Sequence, residues 1–167
     1  MKSEEKIVAR QMHQICVVVR DIQAAVERYW SLFGIGPWVF YTFKAPELTE
    51  PMIHGKPQPY SMRIAVAYIG EVQWELIQPL TGPSIYQEFL DEHGEGVHHV
   101  ALGVDSYDQT IAAMRERGIG VSMSGCWNGV DYGYLDSEKN LGVIVELFRY
   151  PPDFVMPAPE ATYPPSV

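Results

Sequence analysis

Residues 98–119, HHVALGVDSYDQTIAAMRERGI, repeat the logic of residues 13–35, HQICVVVRDIQAAVERYWSLFGI. Each stretch opens with apolar and β-branched residues that read as a buried strand. Each then passes through Val-Asp or Val-x-Asp and continues with apolar positions at helical spacing before a glycine. In the first copy Asp21 stands where a helix N-cap belongs, Ile22, Ala25, Tyr29 and Phe33 form the apolar stripe, and Gly34 suits a C-terminal stop. In the second, Ser106-x-x-Gln109 makes a capping box, and Tyr107, Ile111 and Met114 supply the stripe.

Working outward, each strand-helix start is followed by three more strand candidates. These are WVFYTFK, SMRIAVAYIG and EVQWELIQP after the first, the last two joined at Gly70 as a tight hairpin, and VSMSGC, VDYGYLD and GVIVELFRY after the second. The chain reads as βαβββ written twice. One such unit hardly covers both faces of its sheet. Two side by side can curl their strands around a shared cleft with helices outside, which predicts an α+β fold with a curved, half-open, barrel-like sheet. On pattern alone, a ferredoxin-like α+β domain without a cleft is the alternative. The expected organisation is a flexible segment 1–10, a first module 11–80, a linker with a short helix 81–96, a second module 97–150 and a proline-rich tail 151–167 outside the fold. The loop from Ala45 to Tyr60, with four prolines, is long enough to be functional or mobile.

With 167 residues the chain can bury a good core. No long apolar run and no basic segment followed by an apolar one is present, so the expectation is a cytoplasmic protein without a membrane span. A net charge of -9 without a Lys/Arg cluster argues against nucleic acid and acidic membranes as partners. Cys16 and Cys126 lack CxxC spacing, so free thiols are expected.

Three segments carry a family resemblance: HQICVVVRDIQAAVERYWSLFGIGPW, ELIQPLTGPSIYQEFLDEHGEGVHHVALGVDS and GYLDSEKNLGVIVELF. Over roughly Met12 to Tyr150 the chain resembles the vicinal oxygen chelate superfamily, particularly members related to glyoxalase I and methylmalonyl-CoA epimerase. The resemblance implies paired βαβββ modules enclosing one divalent metal ion, with a ligand from the first and last strand of each module. Carried over residue by residue, the ligands fall on Gln14, Glu75, His99 and Glu146. His13 is one residue out of register with His99, and on a strand that step reverses the side chain. Gln at the first position departs from the epimerases, whereas some glyoxalase I enzymes have Gln, Glu, His, Glu in this order.

Two carboxylates, an amide oxygen and an imidazole form an oxygen-rich set for zinc, nickel, cobalt, manganese or iron(II). The activity implied is that of a lyase or isomerase. Glu146, with Glu75 as the alternative, would take a proton α to a carbonyl, and the cation would stabilise the enolate. Glu75 and Glu146 read equally well as solvated strand residues without the resemblance, and His98 as a core histidine or a donor behind the ligands. Trp38, Tyr41, Trp74, Tyr132 and Tyr134 could wall a substrate pocket, as could Phe43 and Trp127, although aromatics on strands are often plain core. Arg20, Lys44, Lys56 and Arg63 are scattered and form no CoA or glutathione handle, so a small carbonyl substrate, less charged and aromatic, is favoured. His54 reads as a surface histidine, Cys16 shares the face of Gln14, and a homodimer is expected. Two other readings remain at this point. An extradiol-type dioxygenase would need His13 in place of Gln14, and a bleomycin-resistance-like binding protein would need no chemistry.

Overall fold

In the computed structural model, which describes residues 6–165, each repeat folds as a strand, a helix and three further core strands. The first comprises β1 (Ala9–Val18), α1 (Ile22–Phe33), β2 (Trp38–Phe43), an inserted hairpin β3 (Leu48–Ile53) and β4 (Lys56–Pro57), then β5 (Ser61–Ile69) and β6 (Val72–Thr81). Helix α2 (Ile85–His93) leads to the second: β7 (Gly96–Val104), α3 (Tyr107–Glu116), β8 (Val121–Trp127), β9 (Val130–Leu135), the short α4 (Glu138–Leu141) and β10 (Ile144–Arg149). A last strand, β11 (Ala161–Tyr163), follows. All join one sheet in the order β11-β2-β5-β6-β1-β7-β10-β9-β8-β3-β4. The fold is an α+β curved sheet, open rather than closed.

The local signals act where the sequence puts them. Asp21 accepts the amide of Ala24 at 3.0 Å and Gly34 ends α1 at φ 66°, a left-handed conformation that glycine adopts without Cβ strain. Ser106 accepts the amide of Gln109 at 3.4 Å to start α3. Helices α1 and α3 cover the convex face, α1 on Val17, Val19, Trp38 and Leu76, and α3 on Leu135, Val145 and Leu147. Helix α2 departs from the expected outer position. Linking β6 to β7 across β1, it buries Ile85, Tyr86 and Leu90 on the concave side with Cys16, Val18 and Tyr134.

Three expectations are corrected. The stretch 45–60 is not a plain loop: β3 pairs with β8, so the hairpin inserted in the first unit joins the far edge of the second. A register shift between Thr49 and Met52 accommodates Pro51, which has no amide to give the ladder. The amino-terminal segment is not wholly outside, since Ala9 and Arg10 belong to β1 and Arg10 pairs with Asp105 at 2.8 Å. Nor does the tail lie outside. Ala161–Tyr163, between the prolines, pairs antiparallel with the edge strand β2, and Glu160 accepts from the Thr42 amide and hydroxyl at 2.8 and 2.9 Å. Among the described residues no helix is long and apolar enough to cross a membrane.

The start of β10 depends on Ser137, whose side chain is fully buried. Its hydroxyl donates to the Val143 carbonyl at 2.9 Å and accepts from the Val145 amide at 3.0 Å. Ser137→Ala strands both groups away from water and is expected to cost about 1–3 kcal/mol in urea denaturation.

Candidate metal centre

Strand pairing brings the four residues singled out by sequence onto four adjacent strands, β6, β1, β7 and β10. Cys16 lies opposite His99 and Gln14 opposite Ala101 across the β1–β7 pair. Beside them Glu75 is registered with Cys16, and Glu146 with Ala101. This pattern is self-consistent under a two-fold axis that exchanges Gln14 with His99, Cys16 with Ala101 and Glu75 with Glu146. Two of the three register shifts in this pair obey the same symmetry: one leaves out His13 between Met12 and Gln14, another His98 between Val97 and His99, while the third lies near the start of β1, between Ala9 and Gln11. Each bulge re-aims the residue after it. His13 lies instead against Gly103, where an added Cβ would come within 2.6 Å of its Nε2.

Gln14, Glu75, His99 and Glu146 are all buried, at 3%, 7%, 0% and 2% exposure, unusual for carboxylates without partners. The Gln14 amide donates to Glu75 Oε2. His99 Nε2 stands 3.0 Å from Glu146 Oε2 and 3.6 Å from Glu75 Oε2. Despite that approach, the geometry leaves both His99 Nε2 and Glu146 Oε2 without a hydrogen bond, and both are shut off from water. The other ring nitrogen of His99 is engaged: Nδ1 lies 2.8 Å from Nδ1 of His98. Burial and the neighbouring His99 push His98 down to about 2, so it stays neutral and accepts the Nδ1 proton of His99. That contact fixes the ring with Nε2 toward the carboxylates, the orientation a histidine ligand needs.

Burial opposes a charge on His99, but Glu146 and then Glu75 outweigh it and raise the imidazole to about 9. Glu146 is raised by burial, which the charge of His99 and the Tyr134 hydroxyl only partly offset. Tyr134 accepts a hydrogen bond from Tyr86 at 2.6 Å, leaving its own proton free. The Cys16 thiol is pushed well up by burial and by Glu75 and Glu146. Its sulfur belongs with Glu75 and His99 to a group whose ligand atoms lie within 4.8 Å of one another. The donor chemistry fits a divalent cation: two buried carboxylates to neutralise it, one imidazole nitrogen already aimed, and the Gln14 amide, whose oxygen a rotation would present.

One consequence concerns pH in protein stripped of metal. A group whose pKa is raised on folding stabilises the fold fully below its unfolded value and loses that contribution as pH climbs through the folded one. For His99 the window runs from 6.5 to about 9. The urea midpoint in excess chelator is expected to fall across it, and to be much flatter for His99→Gln.

Gln14, Glu75 and Glu146 form one wall of a cavity with about 70 Å³ of room for water-sized molecules, open to solvent at one side. Tyr132 and Tyr134 line it, with Phe43 and Trp127, whose rings stack at 4.0 Å. Trp38 and Trp74 do not. Both pack with Tyr29 of α1 on the convex face, at 5.8 and 5.9 Å between ring centroids. Tyr41 is buried beside Trp127 behind the lining. His54 is exposed, with Nε2 3.0 Å from Glu88. Alternation explains the tryptophans: Trp74 adjoins Glu75 in β6, so the two face opposite ways. Sequence reading missed Met62, Ile64, Val66, Phe148, Tyr150, Phe154 and Met156 in the lining. The parity that carries Glu146 to Phe148 was a usable signal, as was the pairing of β5 with β6, which places Val66 opposite Glu75.

Residues 13–134 match the family model of the Glyoxalase/Bleomycin resistance protein/Dioxygenase superfamily, and the chain belongs to that superfamily. Among solved structures it is similar to a Streptomyces coelicolor methylmalonyl-CoA epimerase variant in complex with 2-nitronate-propionyl-CoA. That likeness has a TM-score of 0.62 and 25% identity over 84% of this chain and 94% of the other. The Mycobacterium tuberculosis methylmalonyl-CoA epimerase shares the fold, with a TM-score of 0.63 at 18% identity over 89% and 93% of the two chains. In sequence the chain is 29% identical over 90 residues to the uncharacterized protein YqjC of Bacillus subtilis, covering 52% of this chain and 64% of that one. It is 35% identical over 82 residues to an uncharacterized protein of Synechocystis, spanning 48% of this chain and only 22% of that protein's length.

Proposed function

We propose that the protein is a divalent-metal-dependent isomerase or lyase of the epimerase and glyoxalase kind, acting on a small carbonyl compound with an acidic α-proton. The observation that carries this reading is the close approach of two buried atoms that make no hydrogen bond, His99 Nε2 and Glu146 Oε2, behind the wall that Gln14, Glu75 and Glu146 give to an apolar cavity. Those four residues would hold the ion. When bound, a divalent cation supplies Lewis-acid stabilisation of the negative charge that develops on a carbonyl oxygen as the α-proton leaves.

The remaining steps belong to the chain's own side chains. Glu146 takes the proton: its Oε2 is free, it faces the cavity, and burial has raised its basicity. Glu75 is less suited, because its Oε2 already accepts from Gln14. Tyr134 steadies Glu146 and stays neutral, since burial and the Glu146 charge hold its phenol well above the usual range. Apolar walls keep bulk water away from the reacting carbon, while Glu146, on the lining of an open cavity, can exchange the proton it has taken with solvent before returning one to carbon. A ring-cleaving dioxygenase is the weaker reading, for it would call on His13, which sits in a bulge over Gly103.

The test is proton exchange in D2O, followed by NMR, with manganese- or zinc-loaded protein and a panel of α-substituted carbonyl compounds that includes methylmalonyl-CoA. Loss of an α-proton signal at a rate that rises with protein and stops with chelator is expected. No exchange on any member, with oxygen uptake on a catechol by iron(II)-loaded protein, would replace this reading by the dioxygenase one.

A further inference from the structure

The chain leaves β10 in the second unit and rejoins the sheet through β11, paired with β2 in the first. Residues 150–160 must therefore pass from one side of the cleft to the other. They border the cleft on the way, since Tyr150, Phe154 and Met156 line the same cavity as Gln14, Glu75 and Glu146. The crossing is built rather than loose. Tyr150 packs between Phe148 and Phe154, at 5.7 and 5.4 Å between ring centroids, and Pro151 accepts the amide of Phe154 at 3.1 Å. At the far end Glu160 latches onto β2, its carboxylate on the amide and hydroxyl of Thr42 and its own amide on the Phe40 carbonyl at 2.9 Å.

This segment lies beyond the family match, which ends at residue 134. It adds two aromatic rings and a thioether to a cavity also lined by Met62, Ile64 and Val66. Among the described residues no Lys or Arg lines the cavity. The cation nearest in sequence, Arg149, is committed to Asp131 and Asp108, and Arg63 lies over the Phe40 ring on the far face of β2. A ligand with a polyphosphate handle would meet no counter-charge here, on a chain of net charge -9. A compact ligand with an apolar body would instead exchange water for contact with these aromatic and aliphatic side chains.

We infer that residues 150–160 are a specificity-determining strap, and that through it the site takes a compact, uncharged compound with an aromatic or branched apolar body in preference to a CoA thioester. The cobalt readout below rests on the reading that Gln14, Glu75, His99 and Glu146 hold a divalent cation. The apolar part rests on the strap alone.

Two probes share one β-dicarbonyl head and differ in what it is attached to: 1-phenyl-1,3-butanedione and acetoacetyl-CoA. Isothermal titration of each into cobalt(II)-loaded full-length protein, with the cobalt absorption bands as a second readout, is expected to give at least tenfold tighter binding of the phenyl diketone. Phe154→Ala should weaken the diketone about tenfold without changing cobalt affinity. Glu160→Ala, which frees the latch, should narrow the gap between the probes. Acetoacetyl-CoA binding as tightly as the diketone, or a diketone affinity indifferent to Phe154→Ala, overturns the strap. Diketone binding that depends on Phe154 but is the same with and without cobalt keeps the strap and removes the metal from the account.

Discussion

Glu146→Gln is expected to slow α-proton exchange by about 10²–10⁴-fold, the range that a positioned general base supplies, while substrate affinity stays close to that of the parent protein. The substitution preserves the size of the side chain and leaves an oxygen that can face the cation, but removes the pair of electrons that takes the proton. The expected loss is therefore in kcat and not in KM. Glu75→Gln provides the contrast. Its carboxylate is tied to Gln14 and registered beside Cys16 rather than left free, so its substitution should weaken metal binding more than it slows exchange in protein saturated with metal. If both variants lose exchange equally at saturating metal, the assignment of the base to Glu146 is wrong.

His99→Ala should have the largest effect on the folded protein itself. His99 is the only cationic partner facing Glu146 and Glu75 among the described residues, and it is fully buried. Removing it leaves carboxylates in a low-dielectric interior without compensation, which typically costs about 3–5 kcal/mol. Because Glu146 is already raised by burial, acidification should protonate it and recover much of that loss. The urea midpoint of the variant is expected to rise from pH 8 to pH 5.5, opposite in sense to most proteins. Divalent metal should restore little of it, since the imidazole that Nδ1 of His98 holds in place is gone. A variant as stable as the parent at pH 8 would mean that the two glutamates are not charged together with His99.

The candidate ligands are legible through the family resemblance, which places Glu75 and Glu146, and two regularities of the sequence support its choice of Gln14 with His99. The repeat aligns residues 13–35 with 98–119, and the two-residue period of a strand then separates His13 from Gln14. The observed register keeps that distinction, although the His13 and His98 bulges behind it left no mark in composition. Where only one regularity was used, the reading went astray. Aromatics on strands suggest Trp74 and Trp38 as pocket walls, yet Trp74 sits beside Glu75 in β6 and faces the other way, onto Tyr29. The tail was set aside because prolines interrupt ladders, but an edge strand needs only three residues of partner, and Ala161–Tyr163 supplies them. The crossing of β3 to β8 was out of reach, because it depends on how far the sheet curls, a property of the assembled sheet and not of any local stretch.

All of these expectations converge on whether the four buried side chains hold an ion. The most direct measurement is a competition titration of manganese(II), zinc(II) or cobalt(II) against a chromophoric chelator, with protein first stripped of metal, for the parent and for His99→Ala and Glu146→Ala. The account predicts one ion per chain, with affinity rising between pH 6 and pH 9 as the proton on His99 is displaced, and at least tenfold weaker binding in either variant. An unmutated protein that takes up no divalent ion at micromolar concentrations, or one that binds equally well without His99 and Glu146, would contradict it.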